Sequence, residues 1–305
     1  MARRRTLDRD PGLLYRMGLT VFLLGVVNVV FFVILAQVFS VGLVPLLLIA
    51  VLVLSVQYFS SAKIALASSG AHVVAREEQP ELHAAVERLC MTADLPMPKV
   101  AVIETDMPNA FATGRSPRHA AVAVTTGLLR RLEPEELEGV LAHELSHVKH
   151  RDVAVMTIAS FLGMVAGMIT RWGFFFGGGF GGGFGGDDDR DSGQAFMIAL
   201  LVSIVVYAIS FVLIRTLSRY REFAADRGAA VLTKSPSALA SALVKISGDM
   251  ARIPQRDLRT AEGLNQFFII PTSVRNSLSG IFATHPPVEA RLARLRELER
   301  ELETL

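Results

Sequence analysis

Four apolar runs break the polar pattern of this chain, at residues 17–39, 41–59, 153–170 and 195–214. A helix needs about 20 predominantly apolar residues to cross a bilayer, so the pattern predicts four transmembrane helices. Only Ser40 separates the first two, which therefore read as a tight helical hairpin. The third lies between Arg151-Asp152 and Arg171-Trp172, and the fourth stops at Arg215. The first run does not read as a removable leader, because its apolar core is too long and no small-residue cleavage site follows it.

Outside these runs the periodicity changes to that of a water-soluble fold. Leu82, Val86 and Leu89 recur at helical spacing after Pro80, which predicts a helix over residues 79–92. Residues 99–104 (KVAVIE) and 120–125 (AAVAVT) read as strands. A further helix opens at Glu133-Pro134-Glu135-Glu136, with proline and carboxylates in its first turn. It continues through Leu137, Val140, Leu141, Leu145 and Val148. Val288, Leu292, Leu295 and Leu298 mark a last amphipathic helix over residues 287–302. The expected fold is α+β and mostly helical, with a short sheet. Its organisation is a tail and transmembrane hairpin (1–66), a first soluble part (67–150), a second transmembrane pair (151–215) and a second soluble part (216–305). The two soluble parts together supply roughly 175 residues, enough for one packed domain.

Composition narrows the function. Of 305 residues 51% are hydrophobic and 20% charged, which excludes a disordered or coiled-coil chain. A net charge of +2 argues against a nucleic-acid partner, and the lipid bilayer is the partner the apolar runs imply. The lone Cys90 excludes an internal disulfide and a thiolate-clustered metal site. Arg3, Arg4, Arg5, Arg9 and Arg16 precede the first span, Lys63 and Arg76 follow the second, and Arg215, Arg219 and Arg221 follow the fourth. The segment between the third and fourth, residues 173–194, is rich in glycine and phenylalanine and then acidic. By the positive-inside rule both termini and the soluble parts face the cytosol, and this glycine-rich loop is external.

The chemistry sits on the helix that opens at Pro134. His143-Glu144-Leu145-Ser146-His147 places two histidines one turn apart on one face. Two imidazoles so placed reach one Zn²⁺, with Glu144 beside them to take a proton from water, which is the pattern of a metalloprotease. Mn²⁺ or Co²⁺ suits the same donors. A catalytic zinc ordinarily takes a third protein ligand. No third histidine follows at the extended spacing, because Val153 stands there. Arg221-Glu222-Phe223-Ala224-Ala225-Asp226 is the best source: Glu222 can bind the ion while Asp226 accepts the other ring N–H of a ligating histidine. The alternative for this segment is a charged helix face near a membrane, paired with Arg219 and Arg221.

Several segments, taken in order, resemble the M48 family of integral-membrane zinc metallopeptidases across nearly the whole chain. They are Asn109-Ala110-Phe111-Ala112, Thr125-Thr126-Gly127-Leu128-Leu129, Leu141-Ala142-His143-Glu144-Leu145-Ser146-His147, residues 219–226, and Thr284-His285-Pro286-Pro287. The resemblance implies a split zincin-like (gluzincin) domain and one Zn²⁺ per chain on His143, His147 and Glu222. It implies Glu144 as general base and Asp226 as support for a ligating histidine. It further implies Asn109, Ala110 and Phe111 as a substrate-binding edge strand, and His285 as a group that stabilises the oxyanion. The implied activity is endopeptidase cleavage of misfolded or misassembled membrane proteins at the cytosolic face of the cell membrane, with homo-oligomers left open. The alternatives are a CAAX-type processing protease and a catalytically idle membrane scaffold.

Overall fold

The computed structural model describes residues 10–38, 43–178, 190–250 and 285–304. The terminal arginines Arg3, Arg4, Arg5 and Arg9, residues 179–189 of the glycine-rich segment, and Thr284 lie outside the described residues. In chain order the elements are α1 (Pro11–Val38), α2 (Leu43–Ser68), β1 (His72–Val73), α3 (Pro80–Ala93), β2 (Lys99–Ile103), β3 (Ala110–Thr113), β4 (Ala121–Thr125), α4 (Thr126–Leu129), α5 (Pro134–Lys149), α6 (Asp152–Gly178), α7 (Arg190–Thr233), α8 (Pro236–Met250) and α9 (Val288–Glu303). The mostly helical α+β class expected from the pattern is what is found.

The chain forms two compact units. One comprises Met17–Tyr58 and Val155–Leu217, the other Met1–Arg16, Phe59–Ala154 and Ser218–Leu305. In the first, Phe31, Leu35, Phe161, Ala166, Ala199 and Val206 pack together, while Phe22, Val29, Leu48, Leu52, Val56, Leu201 and Val205 point outward. So many outward apolar side chains fit hydrocarbon, not water. Glycines let two helices approach there: a Cβ on Gly167 would lie 3.0 Å from the Tyr207 ring.

Among the described residues three helices are long and apolar enough to cross a membrane, Pro11–Gln37, Leu48–Ser68 and Met197–Thr233. A shorter apolar stretch covers Asp152–Gly167. Two boundaries differ from the sequence reading. The loop expected over 173–194 is shortened at both ends, because α6 runs on through the apolar Phe174-Phe175-Phe176 to Gly178 and α7 begins at Arg190. The fourth apolar run stops at Arg215, and α7 continues past it without a break to Thr233. No proline or glycine interrupts residues 195–227, so backbone hydrogen bonding continues while the side chains turn polar. At 1.5 Å per residue α7 is roughly 66 Å long.

The second unit is built on a four-stranded sheet of order β1-β2-β4-β3. β2 and β4 are parallel, and β3 joins β4 antiparallel with Ala110 opposite Val124 and Ala112 opposite Val122. Alternation assigns Val100, Val102, Val122 and Val124 to one face, where they meet Leu82 and Val86 of α3, Leu141 and Leu145 of α5, Leu243 of α8 and Leu295 of α9. Ala101, Phe111 and Ala123 occupy the other face, covered by Ala65 at the end of α2. The sheet is buried on both faces, and β3 forms its edge beside α5.

Candidate metal centre

α5 is fixed at its start by reciprocal capping. Glu136 accepts the backbone N–H of Glu133 at 2.9 Å while the Glu133 carboxylate caps the backbone of Glu136, and Pro134 sits in the first turn. Val140, Leu141 and Leu145 bury one face in the core. This turns His143 and His147, one turn on, toward α7.

The donors converge. His143 Nε2 and His147 Nε2 stand 3.2 Å apart. Glu222 on α7 closes the group, with Oε2 3.5 Å from His143 Nε2 and Oε1 3.5 Å from His147 Nε2. Each ring is oriented by a second carboxylate on its other nitrogen. His143 Nδ1 lies 2.9 Å from Asp226 Oδ1, and His147 Nδ1 lies 2.6 Å from Asp152 Oδ2. These contacts place the ring protons on the Nδ1 atoms and leave two Nε2 lone pairs facing one another beside a carboxylate.

A cation fits this donor set. The three ligand atoms lie within 4.8 Å of one another, and Glu222 Oε2 is buried without a hydrogen-bond partner, although the Arg291 guanidinium stands close by, Nη2 3.5 Å from His143 Nε2 and Nη1 3.6 Å from Glu222 Oε2. Around them four buried carboxylates (Glu144, Asp152, Glu222, Asp226) face two buried guanidiniums (Arg221, Arg291). Burial works against charge on His143, but its bonds to Asp226 and Glu222 outweigh burial and raise its pKa to about 9.

Glu144 is buried, and burial is the main reason its carboxyl is pushed above the ordinary range; the nearby histidines act in the opposite direction. The backbone N–H of Ala112 donates to Glu144 Oε2 at 2.8 Å, tying it to the edge strand. Asn109 precedes β3 and is held by its main chain: Thr125 N–H donates to its carbonyl at 2.9 Å, and its own N–H donates to Thr125 Oγ1 at 2.9 Å. In an antiparallel ladder inward and outward main-chain groups alternate. The groups of Phe111 thus face β4, and its ring is buried against Ala101 and Ala123. Those of Ala110 and Ala112 face outward. His285 is buried with Nδ1 3.1 Å from Glu222 Oε2, outside hydrogen-bonding alignment.

The structure thus gathers His143, Glu144, His147, Glu222, Asp226 and His285 in one cluster, with Asn109, Ala110 and Phe111 on the adjoining edge. Two participants escaped the sequence reading. In the sequence Asp152 is only a polar flank of a span, although it lies five residues after His147; it also accepts from Arg221 Nη2 at 2.9 Å. Arg291 of α9 is 1% exposed and grips Asp226 with two bonds, Nε to Oδ2 at 2.9 Å and Nη2 to Oδ1 at 2.6 Å. Its signal was present, because residues 288, 291, 295 and 298 form one helix stripe in which Arg291 is the only charged member.

Comparison with known proteins gives the family. The description of Peptidase family M48 matches residues 76–299. A "Protease HtpX homolog" of Moorella thermoacetica is 55% identical over 304 residues, covering 98% of this chain and 99% of that protein. "Protease HtpX homolog 1" of Streptomyces coelicolor is 53% identical over 297 residues, covering 96% of this chain and 95% of that protein. The crystal structure of S. mikatae Ste24p aligns with a TM-score of 0.55 at 20% identity, over 89% of this chain and 62% of that one, a likeness of fold. With its apolar spans, its paired histidines and these relatives, the chain belongs to peptidase family M48 and is a multi-pass membrane metalloprotease similar to the HtpX proteases.

Proposed function

We propose that the chain is a zinc-dependent endopeptidase that binds one Zn²⁺ through His143, His147 and Glu222. The observation that carries this reading is the convergence of two Nε2 lone pairs and a carboxylate, each ring held from behind by Asp226 or Asp152. Zinc is favoured over harder ions because two of the three donors are imidazoles. When bound, the ion supplies Lewis acidity toward the scissile carbonyl and acidifies water at neutral pH.

The chain's own groups do the rest. An extended substrate pairs with the outward main-chain groups of Ala110 and the outward carbonyl of Ala112, so backbone bonds carry affinity and sequence preference is loose. Asn109 and Phe111 anchor that edge. Glu144 takes a proton from the attacking water and delivers it to the leaving amine. His285 donates to the oxygen on which negative charge develops. Asp226 and Asp152 hold the rings in the tautomer that presents Nε2. The arginine distribution in the sequence supports a site on the cytosolic side of the cell membrane. The substrates are misfolded or damaged membrane proteins, consistent with the family's role in quality control.

Full-length wild type and Glu144→Gln, purified in detergent with chelator and then given Zn²⁺, test the reading. Wild type should cleave itself and an unfolded membrane protein. The variant should bind one zinc and lose activity about 10²–10⁴-fold. Wild-type turnover by the variant would remove Glu144 from the mechanism, and activity without added metal would remove zinc.

A further inference from the structure

A cavity of about 510 Å³ lies between the start of α1 and residues of α7 and α9. Its rim holds three arginines, Arg16, Arg227 and Arg294, against two carboxylates, Asp10 and Glu297. Leu13, Phe223, Ala290 and Ala293 make its apolar wall. A volume of this size accommodates a small ligand. The metal chemistry does not use it, although its walls adjoin the site: Phe223 and Arg227 each follow a site residue, Glu222 and Asp226, on α7.

Its position in the chain is informative. Leu13 and Arg16 belong to the first two turns of α1, and the apolar span Pro11–Gln37 starts there. The cavity therefore lies at the level where a membrane helix leaves the hydrocarbon, where phospholipid headgroups reside. Tyr220 also lines it, with the apolar body and polar tip suited to that level. Its lining sets three arginines against two carboxylates, with Arg227 also 3.7 Å from Glu301, and these charges are already at work. Asp10 is partly buried, which alone would raise its pKa, but the Leu13 backbone bond and the charges of Arg294 and Arg227 hold its carboxyl below the ordinary value. Arg294 binds Asp10 through Nη2 and Glu297 through Nη1, each at 2.8 Å. A guanidinium carries five N–H donors in a fixed fork and can engage a carboxylate and a phosphate together.

We propose that this cavity is a binding site for the phosphate headgroup of an anionic phospholipid, held by Arg16, Arg227 and Arg294 with its glycerol against Leu13 and Phe223. Basic pockets among membrane helices recognise such headgroups. A free phosphate ion shares the charge but not the apolar contacts. The proposal rests on the chain being a membrane protein and is independent of the catalytic assignments.

The test uses the full chain, delipidated in a non-ionic detergent. Phosphatidylglycerol, phosphatidylcholine and inorganic phosphate are titrated separately, and bound molecules are counted by native mass spectrometry. Phosphatidylglycerol should bind well above phosphatidylcholine. Arg16→Gln and Arg227→Gln should each weaken it about fivefold. Asp10→Asn, which removes a competing carboxylate, should strengthen it, and this opposite sign keeps the test decisive if an arginine variant fails to fold. Equal binding of the two lipids would overturn the proposal, as would wild-type affinity in all three variants. Inorganic phosphate binding as tightly as phosphatidylglycerol would overturn the lipid assignment.

Discussion

His147 and Asp152 are joined across the turn between two helices, with Nδ1 2.6 Å from Oδ2. His147 is near the end of α5 and Asp152 opens α6, so one short bond links a proposed metal ligand to the start of an apolar helix. Arg151 makes the turn with φ +54. Asp152 accepts from Arg221 as well, which balances its charge. Asp226 and Arg291 stand in the same relation to His143.

Removing either supporting carboxylate frees a ring to rotate and shifts its tautomer. Asp152→Asn and Asp226→Asn should each reduce zinc affinity about 10–100-fold, measured by competition with a chelator of known affinity. Unchanged affinity in both would show that the histidines are held by other contacts.

Gly228 sets how closely α7 approaches α5. A Cβ at this position would stand 2.9 Å from Cβ of Ser146, which lies between the two histidines. Gly228→Ala must push the helices apart and carry Glu222 and Asp226 away from the imidazoles. The expected outcome is a loss of roughly 1–3 kcal/mol in stability together with weakened zinc binding. Adding Ser146→Gly should restore metal affinity. Failure of that rescue would separate the glycine from the site.

Glu136 anchors α8 to the start of α5, accepting from Ser241 Oγ at 2.6 Å and Lys245 Nζ at 2.7 Å. Burial raises its pKa, but these bonds and the Glu133 N–H outweigh burial and hold it below the ordinary 4.5. A lowered folded-state pKa means stabilisation present above the ordinary value and lost as pH falls through the depressed one. Glu136→Gln should reduce stability by roughly 1–2 kcal/mol at neutral pH. The gap to wild type should close as the pH falls below the ordinary 4.5 in thermal unfolding of the detergent-solubilised protein. A gap independent of pH would rule out the ionised carboxylate as its cause.

The N–H of Ala112 holds Glu144 against the edge strand, and it points away from β4. Ala112→Pro deletes that donor without removing a bond between β3 and β4. Turnover should fall at least about tenfold while zinc stays bound. Full activity would mean that Glu144 is positioned by other groups.

The features that were legible in the sequence are local ones. Apolar runs of span length, alternation in KVAVIE and AAVAVT, and a capped helix with histidines four residues apart are each decided by a few adjacent residues and the fixed periods of helix and strand. The same periodicity placed Glu222 and Asp226 one turn apart. Bringing them to His143, some 80 residues earlier in the chain, required the packing of α7 on α5, which Gly228 permits. Continuous helix through Arg215 was equally out of reach, because a change from apolar to charged side chains ends a span without ending the backbone hydrogen bonding.

Arg291 marks the boundary between the two kinds of information. By sequence it is one of four arginines in α9, set in an otherwise apolar stripe that hints at burial. Its meaning depends on Asp226, 65 positions away, since a buried guanidinium is tolerated only against a buried carboxylate. The residue types able to hold an ion were thus determined by the sequence itself. Only the tertiary structure decided their mutual distances, their orienting carboxylates and the charge balance around them, because those depend on contacts between segments far apart in the chain.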